Sequence, residues 1–259
     1  MNKPSRDKRD LALSPDVVER LGERRYALLK LWIRDVNGEF DAALAQHVRE
    51  DSIVLDAGCS RGDPDLPALR GSRHTVGCDA DMAGLRANTI ARHRVFTPLE
   101  SLPFPSGTFD LVVCKFVLEH LSEPVRVIRE FFRVLRPGGV IAVLTPNRWS
   151  LFALVSRAIP HRLKQQIKKR LFGGHPEDTF ETRYRANTPS ALRSLMTAAG
   201  FEEARFQMLA GMWAFFIFSS TLAKAVRAVE RIQARTPGLR MFSTHMLGVW
   251  RKPLGAPAP

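Results

Sequence analysis

Between residues 52 and 146, short apolar runs alternate with helical patterns, and that alternation limits the chain to few architectures. SIVLDA (52–57), RHTVGCDA (73–80), HRVFT (93–97), FDLVVCKF (109–116) and GVIAVLTP (139–146) read as strands. Helical stretches near 64–70, 82–92 and 123–135 separate them, and RPGG (136–139) reads as a turn. Apolar strands alternating with helices imply right-handed crossovers and a mostly parallel sheet with helices on both faces. The expected fold class is α/β.

The ends differ in character. Residues 15–34 read as a helix, with Val17, Val18, Leu21, Leu28, Leu29 and Ile33 near one face and Ser14 and Pro15 at its start. A second helix is expected over 39–49. Residues 147–185 are irregular, apart from a basic helical segment over 149–171. TPSALRSLMTAAGF (188–201) is a helix that Thr188 caps, Pro189 opens and Gly200 closes. A strand over 202–209, a helix over 211–233 and a strand over 243–253 bring the strand count to seven. The last residues, 254–259, read as a disordered tail.

The 259 residues suffice for a full core. Cys59, Cys78 and Cys114 lack metal-ligand spacing and sit in or beside apolar runs, so buried thiols in a reducing compartment are expected. The polar start, MNKPSRDKRD, does not read as a secretory signal, and the expected location is cytoplasmic. The net charge of +13 is unevenly placed. Residues 146–259 carry 18 Lys and Arg against 6 Asp and Glu, whereas 1–50 carry 10 and 9, and 51–145 carry 11 and 11. A neutral catalytic core with a positively charged accessory surface is the reading.

VLDAGCSRGD (54–63) carries the chemistry. A strand ends in an acid and breaks into small residues, so a ligand can approach the main chain beside the amides of a following helix. In open parallel sheets, ligands bind at the carboxyl ends of the strands. Asp56 stands where a dinucleotide-binding turn places a glycine facing a pyrophosphate; a carboxylate there repels phosphate and suits a cation. Asp79 ends the next strand, 23 residues later, the place for a carboxylate that accepts ribose hydroxyls. A ligand with a ribose, no phosphate and a cationic end is S-adenosylmethionine.

These residues resemble the class I S-adenosylmethionine-dependent methyltransferases, in the branch acting on small molecules (methyltransferase type 11-like). VLDAGCSRG resembles the first motif, VGCDAD (76–81) the second, and LESLPFPSGTFDLVVCKFVLEHL (99–121) the third block. EFFRVLRPGGVIAVLTPN (130–147) resembles the closing helix, turn and strand. The resemblance implies a Rossmann-like sheet whose last strand runs antiparallel. It divides the chain into a helical cover (1–50), a cofactor-binding half (51–147) and a substrate-side half (148–253) with a basic insertion.

It also implies contacts. Asp56 would order the loop and the ligand's ammonium group, partly through water, while Gly58, Ser60 and Gly62 line the methionine part. Asp79 would bind the ribose hydroxyls, Ala80 lie against the adenine and the Leu99 backbone meet the adenine edge. Cys114 and Lys115 would contact the amino acid end through main chain. Two positions depart from the pattern: Ser60 replaces the middle glycine, and Pro98 stands where relatives often carry an Asp.

Methyl transfer from a sulfonium is an in-line displacement that needs a base only if the acceptor must lose a proton. His120, His175 and Tyr184 are the candidates for that base. Glu119 and His120 read as a hydrogen-bonded pair shaping the pocket wall. Arg183, Tyr184 and Arg185 are placed facing the pocket.

CKFV (114–117) occupies the place where nucleic-acid amino-methylating enzymes carry an Asn/Asp-Pro-Pro-aromatic stretch, which argues against nucleic acid. The run 208–223 carries no charge but is too short to span a bilayer after part of it completes a strand. It forms either a lid over an apolar pocket or a peripheral surface in which Trp149, Phe152, Trp213 and Phe215 meet anionic membrane at its inner face. Both imply a hydrophobic small-molecule acceptor: quinone-like, lipid-linked or a natural product. An RNA or protein methyltransferase using the basic C-terminal half, and a non-catalytic cofactor-binding or membrane-surface protein, stay open as alternatives.

Overall fold

The computed structural model describes residues 31, 33–150, 153, 181–211, 213, 216 and 219–255. The strands are β1 (Ile53–Ala57), β2 (His74–Asp79), β3 (His93–Phe96), β4 (Phe109–Lys115), β5 (Leu135–Pro146), β6 (Glu202–Leu209) and β7 (His245–Arg251). They form one sheet in the order β3-β2-β1-β4-β5-β7-β6. The pairs from β3 through β5 are parallel. β7 runs antiparallel to both β5 and β6, as the resemblance implied. The described α-helices are α1 (Gly38–Leu44), α2 (Met82–Ala87), α3 (Pro124–Val134), α4 (Pro189–Ala198) and α5 (Ser220–Arg235).

The central strands are apolar without alternation because both faces are covered. Leu55, Val112, Ile141 and Trp250 pack on one side with Val127, Ile128 and Phe131 of α3 and Leu192 and Met196 of α4. Their sequence neighbours Val54, Leu111, Val113, Ala142 and Val249 point the other way, as the period of two requires, and meet Phe40 and Leu44 of α1 with Leu66 and Leu69. Each fully buried side chain of this size contributes roughly 1.5–3 kcal/mol by leaving water.

Most expected strand ends agree within two residues, but helix ends move for identifiable reasons. α2 stops at Ala87 rather than continuing to 92, because the Asn88 side chain takes the amides of Ile90 and Ala91 at 2.9 Å each. The stretch expected to be helical over 64–70 is a 3-10 turn, Pro67–Gly71. β5 begins at Leu135: Phe109 pairs with Leu135 and Leu111 with Val140, so RPGG bulges within the strand, with Gly138 at φ 79°. The helix expected over 39–49 is Gly38–Leu44. The helix expected over 211–233 is displaced to Ser220–Arg235, where Ser219 caps it by accepting the Leu222 amide. α4 has the start foreseen, Thr188 accepting the Ala191 amide at 3.2 Å, and Gly200 follows it at φ 96°. The three cysteines are free and buried. Most of the helix expected over 15–34 and of the basic segment over 149–171 lies outside the described residues.

Candidate functional site

A cavity of about 500 Å³ opens where β1, β2 and β4 end, within the usual size range of small-ligand sites. The sheet changes direction of winding there, between β1 and β4. Its wall includes Asp56, Gly58, Ser60, Gly62, Asp79, Ala80, Leu99 and Lys115, eight of the nine positions expected to meet a cofactor. Cys114 is not among the lining residues: its side chain points into the core. Pro98, the departure from the family pattern, sits on the wall.

The loop after β1 is shaped by hydrogen bonds from its surroundings. The amides of Gly58 and Cys59 both donate to the Cys78 carbonyl, at 2.8 and 3.1 Å. Ser60 adopts φ 39°, and its amide donates to Asp79 Oδ2 at 2.8 Å. Asp79 Oδ1 accepts the Asp81 amide at 2.8 Å. Asp79 thus locks the loop to the end of β2, and each of its oxygens retains a second lone pair for a ligand. Glycine is required at two positions. Gly58 sits at φ 74°, and a Cβ there would run into Val117; Gly62 sits at φ 82°, with Ile90 and Asn88 where its Cβ would lie.

Sequence reasoning missed two members of this site. Asn88 is fully buried beneath the loop. Its Nδ2 donates to the carbonyls of Ser60 at 3.0 Å and Cys59 at 3.4 Å, while its Oδ1 holds the Ile90 and Ala91 amides. One side chain therefore ties the β1 loop to the end of α2. Asp63 is the second: it forms a salt bridge with Lys115 across the cavity. The lone polar residue after AGLRA and the acid after a glycine read as loop residues in sequence; only the cross-strand placement exposes their roles.

Charge completes the picture. Asp56, Asp63, Asp79, Asp81 and Glu100 face one lysine and His120 around the cavity. Burial pushes the Asp56 carboxyl up to about 7; Asp63 and Asp79 raise it further, and Lys115 opposes them. Bringing a cation close to Asp56 would reverse this effect by favouring the carboxylate.

The far wall is built by residues 116–121. Glu119 is 5% exposed, and burial raises its carboxyl to about 7. The expected hydrogen bond with His120 is corrected: His120 Nε2 lies 4.0 Å from Glu119 Oε1, beyond hydrogen-bond reach. Glu119 Oε2 instead accepts the Thr145 hydroxyl at 3.0 Å, and Thr145 Oγ1 accepts Asn187 Nδ2 at 2.6 Å. The Glu119 carbonyl accepts the amides of Arg183 and Tyr184 at 2.6 and 3.1 Å. His120 lines the cavity, and its Nδ1 lies 2.9 Å from the Glu181 carbonyl, an arrangement that puts a proton on Nδ1. Tyr184, at φ 51°, and its neighbours Arg183 and Arg185 are not among the lining residues. His175 lies outside the described residues.

The loop after β3 is also clamped from behind. Glu130 accepts the Leu102 amide at 2.9 Å, and Arg133 donates to the carbonyls of Phe104 and Leu102 at 2.8 and 3.0 Å. The two side chains pair with each other on α3. LPF and the helix of the closing motif thus form one unit.

Residues 55–143 match a family model described as a methyltransferase domain. This match and those that follow support a class I S-adenosylmethionine-dependent methyltransferase. It is 42% identical over 104 residues to a protein of Mycolicibacterium smegmatis named as a probable S-adenosylmethionine-dependent methyltransferase, covering 37% of this chain and 38% of that relative. It is 32% identical over 182 residues to the ubiquinone/menaquinone biosynthesis C-methyltransferase UbiE of Edwardsiella ictaluri, covering 67% of this chain and 66% of that one. The chain thus spans less than two thirds of the length of these curated relatives. The solved [4+2]-cyclase SpnF shares the fold, with a TM-score of 0.54 at 20% identity over 84% of this chain and 81% of that one. The family's cofactor is S-adenosylmethionine. The acidic, phosphate-excluding cavity and its glycine cradle fit that group.

Proposed function

We propose that the protein transfers a methyl group from S-adenosylmethionine to a hydroxyl or carbon of a hydrophobic small molecule. One observation carries the reading: two carboxylates, Asp56 and Asp79, end adjacent strands and face one cavity across a loop whose backbone Asp79 itself fixes. Asp79, with lone pairs to spare, takes the ribose hydroxyls. Asp56 takes the ammonium group, while Ser60 and the glycines leave room for the amino acid part. Leu99 and Pro98 flank the adenine. When bound, the cofactor supplies an electrophilic methyl group on a sulfonium.

Transfer from a sulfonium held there would disperse charge rather than build it, so the residues here would not need to stabilise a developing ion. Their task is to hold the acceptor in line and exclude water. Phe116, Val117 and Leu121 supply apolar wall for that purpose. For a hydroxyl acceptor, His120 is the base: the proton on Nδ1 leaves Nε2 as the basic atom of the neutral ring. The quinone-biosynthesis names of several relatives support a ring-bearing, lipid-soluble acceptor. SpnF is a reminder that this fold also serves other chemistry, so turnover must be measured directly.

Titration calorimetry with S-adenosylmethionine tests the site. Asp79→Ala is expected to weaken binding at least tenfold, about 1.4 kcal/mol. Asp79→Asn, which keeps one acceptor oxygen, is expected to fall between the two. Equal affinity in all three proteins would refute the assignment. Incubation with methyl-labelled cofactor and a fractionated lipid extract then tests turnover; label recovered only in RNA or protein would refute the acceptor class.

A further inference from the structure

We infer that α5 and the turn after it form a docking surface for anionic membrane, placed at the cavity's end of the molecule. Among the described residues, twelve large apolar side chains are exposed, and six of them fall here: Leu222, Val229 and Ile232 on α5, then Leu239, Met241 and Phe242. Val229 and Ile232 are 60% and 66% exposed. At the helical repeat, Leu222, Ala225, Val229, Ile232 and Ala228 fall within an arc of about 120°. Lys224, Arg231 and Arg235 occupy the adjoining arc, and all three are exposed.

The inner face explains why only cations are left outside. Ala223 is buried against Trp213. Glu230, the only acid between Ser220 and Phe242, is 2% exposed. Its Oε1 accepts the Gly211 amide at 3.0 Å and the Thr244 hydroxyl at 2.9 Å, and its Oε2 accepts the Trp213 amide at 3.1 Å. Arg227 is paired with Asp35 at 2.6 Å. The helix is thus pinned through its acid and shows solvent an apolar stripe bordered by Lys224, Arg231 and Arg235, which pair with no acid among the described residues. An interfacial helix needs that combination: apolar side chains to enter the acyl boundary, and Lys and Arg for anionic headgroups. A polyanion such as RNA would use the cations but leave the apolar stripe in water.

The location links this surface to the proposed reaction and rests on that reading. β6 ends and β7 begins beside Pro146, the carboxyl end of β5. Asn147 fixes the turn there by donating to the carbonyls of Met241 and Ser243 at 2.7 and 2.8 Å. His245, the first residue of β7, packs edge-on against Phe116 of the cavity wall at 5.6 Å. The turn after α5 therefore lies at the carboxyl end of the sheet, the end at which the cavity opens, and a lipid-soluble acceptor would reach the cavity from a bilayer docked there. Trp213, expected on the membrane surface, is corrected: it is 1% exposed and packs inward. Phe152 and Phe215 lie outside the described residues.

Co-sedimentation with phosphatidylcholine vesicles, with and without phosphatidylglycerol, tests the proposal. The full chain is expected to bind only the anionic vesicles and to be released by salt. Val229→Ser with Ile232→Ser, and separately Lys224→Ala with Arg231→Ala and Arg235→Ala, are each expected to lower the vesicle partition coefficient at least about tenfold, with S-adenosylmethionine affinity unchanged. Undiminished binding in the serine variant, with loss only in the alanine variant, would show polyanion binding without insertion and overturn the proposal. Absence of vesicle binding, or a self-associated chain that the serine variant dissociates, would overturn it too. Because cofactor affinity is read in parallel, loss of the cavity assignment is seen separately.

Discussion

Replacing Asn88 with alanine tests how the cofactor loop is held. The side chain makes two donor bonds, to Ser60 and Cys59 carbonyls, and accepts two amides, from Ile90 and Ala91. It is fully buried, so alanine strands the Ser60 carbonyl and the Ile90 and Ala91 amides where water enters poorly, while the Cys59 carbonyl keeps the Gly62 amide at 2.8 Å. Individual bonds contribute about 0.5–1.5 kcal/mol net, and a stranded buried group costs about 1–3 kcal/mol. One of the four bonds is long at 3.4 Å and one amide is only half-buried, which brings the expected loss to about 3 kcal/mol. In a domain of this size that lowers Tm by about 6–12 °C. The Ser60 carbonyl is then released, and S-adenosylmethionine affinity should fall at least about tenfold as the bound geometry must be ordered at each encounter. Thermal melts and calorimetry read both effects. Asn88→Asp separates polarity from shape: it keeps the acceptor for two amides but sets a carboxylate against two carbonyls. It should match alanine at neutral pH and recover on acidification, when the protonated acid can donate. A Tm within about 2 °C of the parent for Asn88→Ala, with unchanged affinity, would refute the reasoning.

Other outcomes follow from the charges. The Asp56 carboxyl is raised to about 7, so its contribution to folding is fully present at low pH and is lost as pH rises through about 7. A cationic ligand favours the ionised form, so cofactor affinity should rise with pH up to about 7, with proton uptake by buffer measured calorimetrically below that point. Lys115→Met removes the cation that opposes this shift, and the midpoint of the binding profile should move upward; a downward move would contradict the site electrostatics. Glu230→Ala strands two amides and a hydroxyl beneath α5 and should cost about 3 kcal/mol in urea unfolding, whereas an unchanged midpoint would mean the helix is not pinned there.

The local pattern determined much. The apolar runs ending in Asp56 and Asp79 specified strands buried on both faces, because only a two-sided core accepts such continuous apolarity. Asp56, Gly58, Ser60, Gly62 and Asp79 were legible because a tight turn and a close ligand restrict residue type at fixed spacing. Tertiary structure alone decided what depends on distant partners. Asn88 looks like a helix terminator until its amide is seen under the β1 loop, and Lys115 looks like a strand end until Asp63 comes across to meet it. Glu119 seemed paired with its neighbour His120, yet its partner is Thr145, 26 residues away on the adjacent strand. The burial of Glu230, which leaves cations as the only exposed charges of α5, is likewise set by the three donors that the segments after β6 and before β7 bring to it. Hydrogen-bond satisfaction in a dry interior is a property of what meets in space, and a linear sequence carries that information only through the fold.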